Sequence, residues 1–91
     1  MLYFDWDPEK ELFNIKKHDV DFETARPAFE DPNHLIVFDG RHSVREPRFF
    51  CFGKVKGAIL TVRFAYQEET IRIIGAGYWR KGRKFYEEKT S

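Results

Sequence analysis

The residues of this chain that could do chemistry are mostly cations, concentrated in the second half. The run GAGYWRKGRK, residues 75–84, places two aromatic residues before four basic ones, directly after an apolar stretch. Cations that contact phosphates and rings that stack on bases are the parts of single-stranded RNA sites. The run therefore predicts an RNA-binding surface, a nucleotide-phosphate cradle, or only a strand-to-helix corner with a solvated helix face.

The glycines of this run do not fit a nucleotide-binding motif. The dinucleotide fingerprint requires a third glycine three residues after the second, where this chain has Arg80. The P-loop spacing is absent as well. We expect Gly75 and Gly77 to serve close packing or a bend instead.

Metal and nucleophile chemistry find little support. The three histidines lie on different predicted elements, and the chain has neither an i, i+4 histidine pair nor a cysteine cluster. The single Cys51 excludes an internal disulfide, and its place inside a predicted strand indicates a core residue. We therefore expect no metal and no cofactor.

Charge is segregated along the chain. Residues 1–40 carry ten acids against four bases, and residues 41–84 carry eleven bases against three acids, although the net charge is only +1. Either the second half has an anionic partner, or acidic helices pack against a basic sheet. No apolar run approaches the roughly 20 residues of a membrane span, and no signal segment opens the chain. The sequence predicts a cytoplasmic protein without a membrane partner.

The elements that must position the cations form an α+β domain over residues 1–91. A short strand at 2–4 precedes a helix that Asp7 caps and that runs to about residue 18. A second helix, capped by Asp21, bends at Pro27. Short turns then predict an antiparallel four-stranded meander, followed by a C-terminal helix. The four strands are expected at 34–38, 48–52, 58–66 and 70–76.

The last predicted hairpin can be given a register. An even-length loop centred on Glu68 and Glu69 pairs Phe64 with Ile73, and Val62 with Gly75. The core face then consists of Leu60, Val62, Phe64, Ile71 and Ile73, and the other face of Thr61, Arg63, Arg72, Ile74 and Ala76. Arg63 and Arg72 would lie diagonally, within reach of one phosphate.

The lysine, arginine, histidine, tyrosine and glutamate side chains of this protein suffice for one reaction that needs no metal ion. RNA cleavage needs a base for the 2′-hydroxyl, an acid for the leaving oxygen and cations for the phosphorane. The alternative is a basic helix that is merely solvated or that binds a protein.

The sequence also carries a more specific pattern. It comprises Trp6-Asp7 with Lys10, Asn14, Lys17-His18, Val20, Phe22, Ala25, Phe29 and Asp31-Pro32, and continues through Glu46, Arg48, Gly53, residues 72–74 and the basic run at 80–84 to Tyr86-Glu87. In this pattern the chain resembles the BrnT family, the toxin half of a bacterial type II toxin–antitoxin pair.

The resemblance implies a RelE-like fold, metal-independent endoribonuclease activity that stops translation, and RNA as substrate. It also implies a cognate BrnA-type antitoxin with a ribbon-helix-helix part, so that operator DNA is bound only through the antitoxin. The candidates for phosphate contact and proton transfer are Lys17, His18, Arg63, Arg72 and Arg80; those for RNA binding are Tyr78, Trp79, Lys81, Arg83 and Lys84. We expect His18 to be the proton carrier, because the unperturbed pKa of histidine is nearest neutrality.

The chain departs from the family pattern at three places. The family's Lys-His-Gly ends in Asp19 here, which loses a glycine helix stop. Its usual Ser-Ala-Arg reads Gly75-Ala76-Gly77, so an arginine is missing at position 77. Gly82 replaces a helix-favouring residue, at about 1 kcal/mol in propensity.

The missing arginine leaves two hypotheses. Tyr78, Trp79 and Arg80 replace it at a remodelled RNA site, or the site is no longer catalytic. In the second case the chain would be an antitoxin-binding module or a transcriptional co-regulator.

Overall fold

A five-stranded mixed sheet positions every other element of the molecule. The structure is a computed structural model that describes residues 2–91. Its elements are β1 (Tyr3–Trp6), α1 (Pro8–His18), α2 (Phe22–Ala25), a 3-10 helix (Arg26–Glu30), β2 (Leu35–Phe38), a second 3-10 helix (Gly40–His42), β3 (Phe49–Val55), β4 (Ala58–Gln67), β5 (Thr70–Gly77) and α3 (Arg80–Thr90).

The predicted antiparallel four-stranded meander is wrong, because the sheet has five strands and one of its pairs is parallel. The strand order is β1-β5-β4-β3-β2, and β1 pairs with β5 in parallel. The molecule therefore begins with a strand of the main sheet, and the N-terminal helices come after it. The parallel pair joins Tyr3 to Thr70. These segments are far apart in the sequence, so no local sequence pattern predicts their contact.

One face of the sheet carries the main core. Leu60 and Phe64 are fully buried there. They are covered by α2, which contributes the fully buried Phe22, and by the following 3-10 helix. At Gly53 the 3-10 helix approaches so closely that a Cβ atom would lie 2.1 Å from the Ala28 carbonyl oxygen. Cys51 belongs to this core, and burial raises the pKa of its thiol to about 12. It is an inert core residue, as predicted.

The opposite face, here called the open face, is covered only in part. Helix α3 packs Tyr86 and Phe85 against Phe52 and Ile59. The Tyr86 hydroxyl donates a 2.5 Å hydrogen bond to Asp31. The part of the open face nearest β5 lies beside α1 instead.

Helix α1 has well-defined ends. The Asp7 carboxylate accepts a 2.9 Å hydrogen bond from the Glu9 N–H and caps the helix, as predicted. Asp19 takes the left-handed conformation with φ 57°, and its N–H donates to the Ile15 carbonyl. The helix therefore stops where the family glycine would stop it, with an aspartate in the strained position.

The predicted second helix divides in two. Regular α-helix ends at Ala25, and the 3-10 helix that follows contains Pro27, which has no N–H to donate.

The register of the last hairpin is confirmed only near its turn. Phe64 pairs with Ile73 as predicted, but Val62 pairs with Ala76 and not with Gly75. A bulge at this point leaves Ile74 without a partner on β4. Because of the extra residue, Gly75 lies opposite Arg63 and the side chain of Ala76 faces the core. The five residues predicted for the core face are all buried.

Candidate functional site

A groove of about 490 Å³ runs between α1 and the open face of the sheet. We call it the Arg63 groove. Its walls are Asp7, Glu9, Lys10, Phe13, Asn14, Lys17, His18, Arg63 and Ile74. Three of the five residues predicted to be catalytic therefore lie together, although they come from α1 and from β4.

Arg63 forms the floor of this groove. Its guanidinium lies over Gly75, where a Cβ atom would be 3.0 Å from both Nε and Nη2. Its Nε is buried without a hydrogen-bond partner, and none of the carboxylates of residues 2–91 forms an ion pair with it. A guanidinium without an ion-pair partner is suited to a phosphate, which accepts the N–H donors of arginine; because Nε is buried, these donors are the terminal nitrogens.

Asn14 fixes the helix that carries Lys17 and His18. Its Nδ2 donates 2.9 Å hydrogen bonds to the Val20 and Ala76 carbonyls, and its Oδ1 accepts from the Ala76 N–H at 3.1 Å. One buried side chain therefore ties α1 to the end of β5 and to its own exit loop. The sequence-based site candidates omitted Asn14, and the neighbouring apolar residues give no signal of its burial, because Leu12 and Phe13 are 61 % and 66 % exposed.

Trp79 follows β5 and packs against His18 on the groove wall, although it does not itself line the groove. Its indole lies over Gly77, where a Cβ atom would be 2.6 Å from Cζ2. The ring also meets His18 in an edge-to-face contact, with centroids 5.0 Å apart and planes at 84°. Gly75 and Gly77 therefore serve close packing, as predicted: one admits the Arg63 guanidinium and the other admits the Trp79 indole.

Arg72 lies outside the groove. It pairs with Asp5 at 2.7 Å, because the parallel register sets β1 beside this part of β5. Arg72 still pairs with Ala65, two residues along β4 from Arg63, because the bulge lies beyond Ile73. Arg72 does not line the groove, and a catalytic role for it stays a prediction.

The remaining candidates lie around α3. Tyr78, Trp79, Arg80 and Arg83 line a second cavity of about 720 Å³ between α3 and the β3–β4 turn. Lys81 lies at an apolar cleft on the other side of the helix. Lys84 is exposed on the outer surface of α3. The basic helix therefore divides its cations between two sides, and Trp79, directly before the helix, contacts His18 of the Arg63 groove.

The other two histidines stabilise loops. His42 Nδ1 lies 2.8 Å from the buried carboxylate of Asp39, and His34 Nδ1 lies 2.7 Å from the Asp31 carbonyl. Within residues 2–91, no cluster of three or more histidine, cysteine, aspartate or glutamate residues is arranged to hold a metal ion. None of the described helices is both long enough and apolar enough to cross a membrane.

Comparison with known proteins identifies the family of this chain. The family described as the ribonuclease toxin, BrnT, of type II toxin–antitoxin systems matches residues 6–82. No curated protein matches the sequence significantly. The matched segment includes all of α1, the Arg63 groove and Trp79, and it confirms the resemblance found in the sequence. The chain belongs to the BrnT family, the ribonuclease toxins of type II toxin–antitoxin systems.

Proposed function

We propose that this protein is an endoribonuclease that cleaves RNA in the Arg63 groove without a metal ion. The observation that carries the proposal is the unpaired Arg63 guanidinium, held over Gly75 between β4 and α1. It offers a fixed positive charge where a phosphodiester develops negative charge. His18 and Lys17, on the wall of the same groove, supply the groups that can move protons.

The reaction is an internal transfer followed by release. His18 removes the proton of a 2′-hydroxyl, and the 2′-oxygen attacks the adjacent phosphorus. The bond from phosphorus to the 5′-oxygen breaks, and Lys17 delivers a proton to that leaving oxygen. The products are a 2′,3′-cyclic phosphate and a free 5′-hydroxyl. Arg63 stabilises the charge on the non-bridging oxygens, a contribution of about 10²- to 10³-fold for one such donor.

The biological setting follows from family membership. A toxin of a type II system implies a protein antitoxin and an RNA target. We propose that cleavage inhibits translation in the cytoplasm and that the antitoxin is of the BrnA type. Its ribbon-helix-helix part would contact operator DNA, while this chain, as a single domain, would contact only the antitoxin and RNA.

One experiment tests the catalytic proposal. A labelled messenger is incubated with the purified protein, in EDTA for the free RNA and in a magnesium buffer when ribosomes are added, and the fragment ends are mapped. We expect cyclic phosphate ends, and a loss of about 100-fold or more for Arg63→Ala. Arg72→Ala, which removes an arginine already paired with Asp5, tests in the same assay whether that candidate also contributes.

A second function is favoured by one observation. The family arginine expected at position 77 is absent, and the Trp79 indole fills its space. If the folded wild-type protein leaves RNA intact in every condition, the chain is a non-catalytic antitoxin-binding module or a transcriptional co-regulator.

A further inference from the structure

The open face carries an apolar cleft beside the Arg63 groove. It has a volume of about 550 Å³ and lies between α3 and the β2–β3 part of the sheet. Its walls are Val37, Phe50, Phe52, Thr61, Trp79, Lys81, Gly82 and Phe85. Four of these eight residues are aromatic, and Lys81 contributes the one charge. We call it the Phe50 cleft.

The cleft and the groove are neighbours in the sheet register. Phe50 on β3 pairs with Arg63 on β4, and Arg63 pairs with Gly75 on β5. Side chains of directly paired residues stand side by side on one face. The Phe50 ring and the guanidinium over Gly75 are therefore about 10 Å apart, two strand spacings. This separation is comparable with the reach from a phosphate to the far edge of its own base.

Trp79 joins the two cavities. The indole that meets His18 at the end of the groove is also a wall of the cleft. A ligand held by Arg63 and touching His18 therefore has the Trp79 ring beside it and the Phe50 ring beyond.

We propose that the Phe50 cleft binds the nucleobase attached to the phosphate that Arg63 holds. The inference rests on the proposed ribonuclease function and adds a base subsite to it. A nucleotide presents an anion and a flat apolar ring at a fixed separation, which matches the guanidinium and the aromatic cleft. An apolar protein segment would fill the cleft but would need a separate acidic group for Arg63.

The chemistry of the walls sets the kind of recognition. The hydroxyl of Thr61 has no hydrogen-bond partner, but it is buried beneath Gly82 and out of reach of a ligand. The base is therefore held by stacking and apolar contact, which every base can provide. Lys81 at the cleft can contact the next phosphate along the strand.

Binding of an uncleavable RNA tests this inference apart from catalysis. A fluorescent 2′-O-methyl hexamer of mixed sequence is titrated with the whole protein, and its anisotropy is recorded. A set of hexamers with one abasic nucleotide at each position is titrated in parallel. We expect one position at which loss of the base weakens binding by about 5- to 100-fold.

Protein variants then assign that position to the cleft. Phe50→Ala should weaken binding of the complete hexamer by a similar factor. In this variant, removal of the base at the sensitive position should weaken binding no further, because the ring that contacts the base is already gone. Phe50→Tyr should retain binding. Phe38→Ala is the matched control: Phe38 is 58 % exposed, and it alternates with Val37 so that it lies on the other face of β2.

Each result has one meaning. Equal binding by all abasic hexamers overturns the base subsite even if ordinary RNA is cleaved. Base-dependent binding without cleavage of ordinary RNA keeps the subsite and overturns the ribonuclease proposal. If Phe50→Ala leaves RNA binding unchanged but weakens the complex with the cognate antitoxin, the cleft is a protein-binding site and the inference is wrong.

Discussion

The Trp79 indole occupies the space into which a side chain at position 77 would project. A Cβ atom at Gly77 would lie 2.6 Å from Cζ2 and 2.7 Å from Cε2 of that ring. Both atoms belong to a rigid bicyclic ring, which cannot give way as the end of a flexible chain would. Glycine at 77 and tryptophan at 79 are therefore a coupled pair, and the family arginine cannot be restored at 77 while Trp79 stays in place.

The first prediction concerns this coupling. Gly77→Ala should expel the indole from the strand, cost about 1–3 kcal/mol in the free energy of unfolding, and separate Trp79 from His18. In the variant that also carries Trp79→Ala, the alanine at 77 should cost much less, since the clash is gone. Urea denaturation of the two single variants and the double variant measures the coupling, and strictly additive free energies would contradict it.

The second prediction reverses the effect expected from helix propensity. Alanine is favoured over glycine inside a helix by about 1 kcal/mol, yet Gly82→Ala should destabilise this protein by about 1–3 kcal/mol. A Cβ atom there would lie 2.0 Å from Thr61 Oγ1 and 3.1 Å from the Phe52 ring. Helix α3 lies on the sheet at this point and has no room for a methyl group.

Thermal and urea unfolding of Gly82→Ala measure this cost, with Lys84→Ala as the control on the exposed side of the same helix. Adding Thr61→Ala to Gly82→Ala should recover part of the loss, because it removes the clashing hydroxyl. A Gly82→Ala protein more stable than wild type would show that α3 does not contact the sheet here.

The third prediction concerns the buried amide of Asn14. Asn14→Leu should cost about 2–3 kcal/mol, because the N–H and carbonyl of Ala76 lose their buried partners. RNA cleavage should fall as well, since Lys17 and His18 depend on the placement of α1. Leu12→Ala is the control, because this side chain on the same helix is 61 % exposed. Urea unfolding and cleavage assays on folded protein measure the two effects, and unchanged stability would contradict the anchoring role.

The fourth prediction is a dependence of stability on alkaline pH. Burial first, and then the hydrogen bond to Asp31, raise the pKa of Tyr86 from its ordinary 10.0 to about 12. Because the folded pKa is the higher one, the stabilisation is complete below pH 10 and is lost as the pH rises through about 12. Tyr86→Phe should remove this dependence.

Urea unfolding at several pH values measures the difference between wild type and Tyr86→Phe. The difference should be constant up to about pH 10 and should then shrink. Tyr66→Phe is the control, because Tyr66 is 51 % exposed. A difference that stays constant to pH 12 would contradict the raised pKa of Tyr86.

Much of the fold could be predicted from the sequence where the information is local. Asp7 and Pro8 mark the start of α1, and the alternation of apolar residues marks the core face of β4 and β5. The pairing of Phe64 with Ile73 follows from a short turn. The wrong parts are non-local: the pairing of β1 with β5 and the bulge at Ile74 depend on contacts that no neighbouring residues encode.

The residues of the candidate site could be predicted from the sequence better than their arrangement in space. Lys17, His18 and Arg63 were all candidates, and the structure brings them together. Arg72 was assigned to the same site because its partner Asp5 lies 67 residues away, on a strand whose position the sequence did not reveal. The contact between His18 and Trp79 joins the end of α1 to the end of β5 and could not be anticipated without that topology.

The parallel pairing of β1 with β5 bears on how the molecule is made. The first strand leaves the ribosome early, but it gains its partner only after residues 70–73 have been synthesised. The Arg63 groove likewise has one wall from α1 and another from Arg63 on β4 and Ile74 on β5. Contacts so distant in sequence form late in folding. A shortened product that ends before β5 would therefore lack the complete groove.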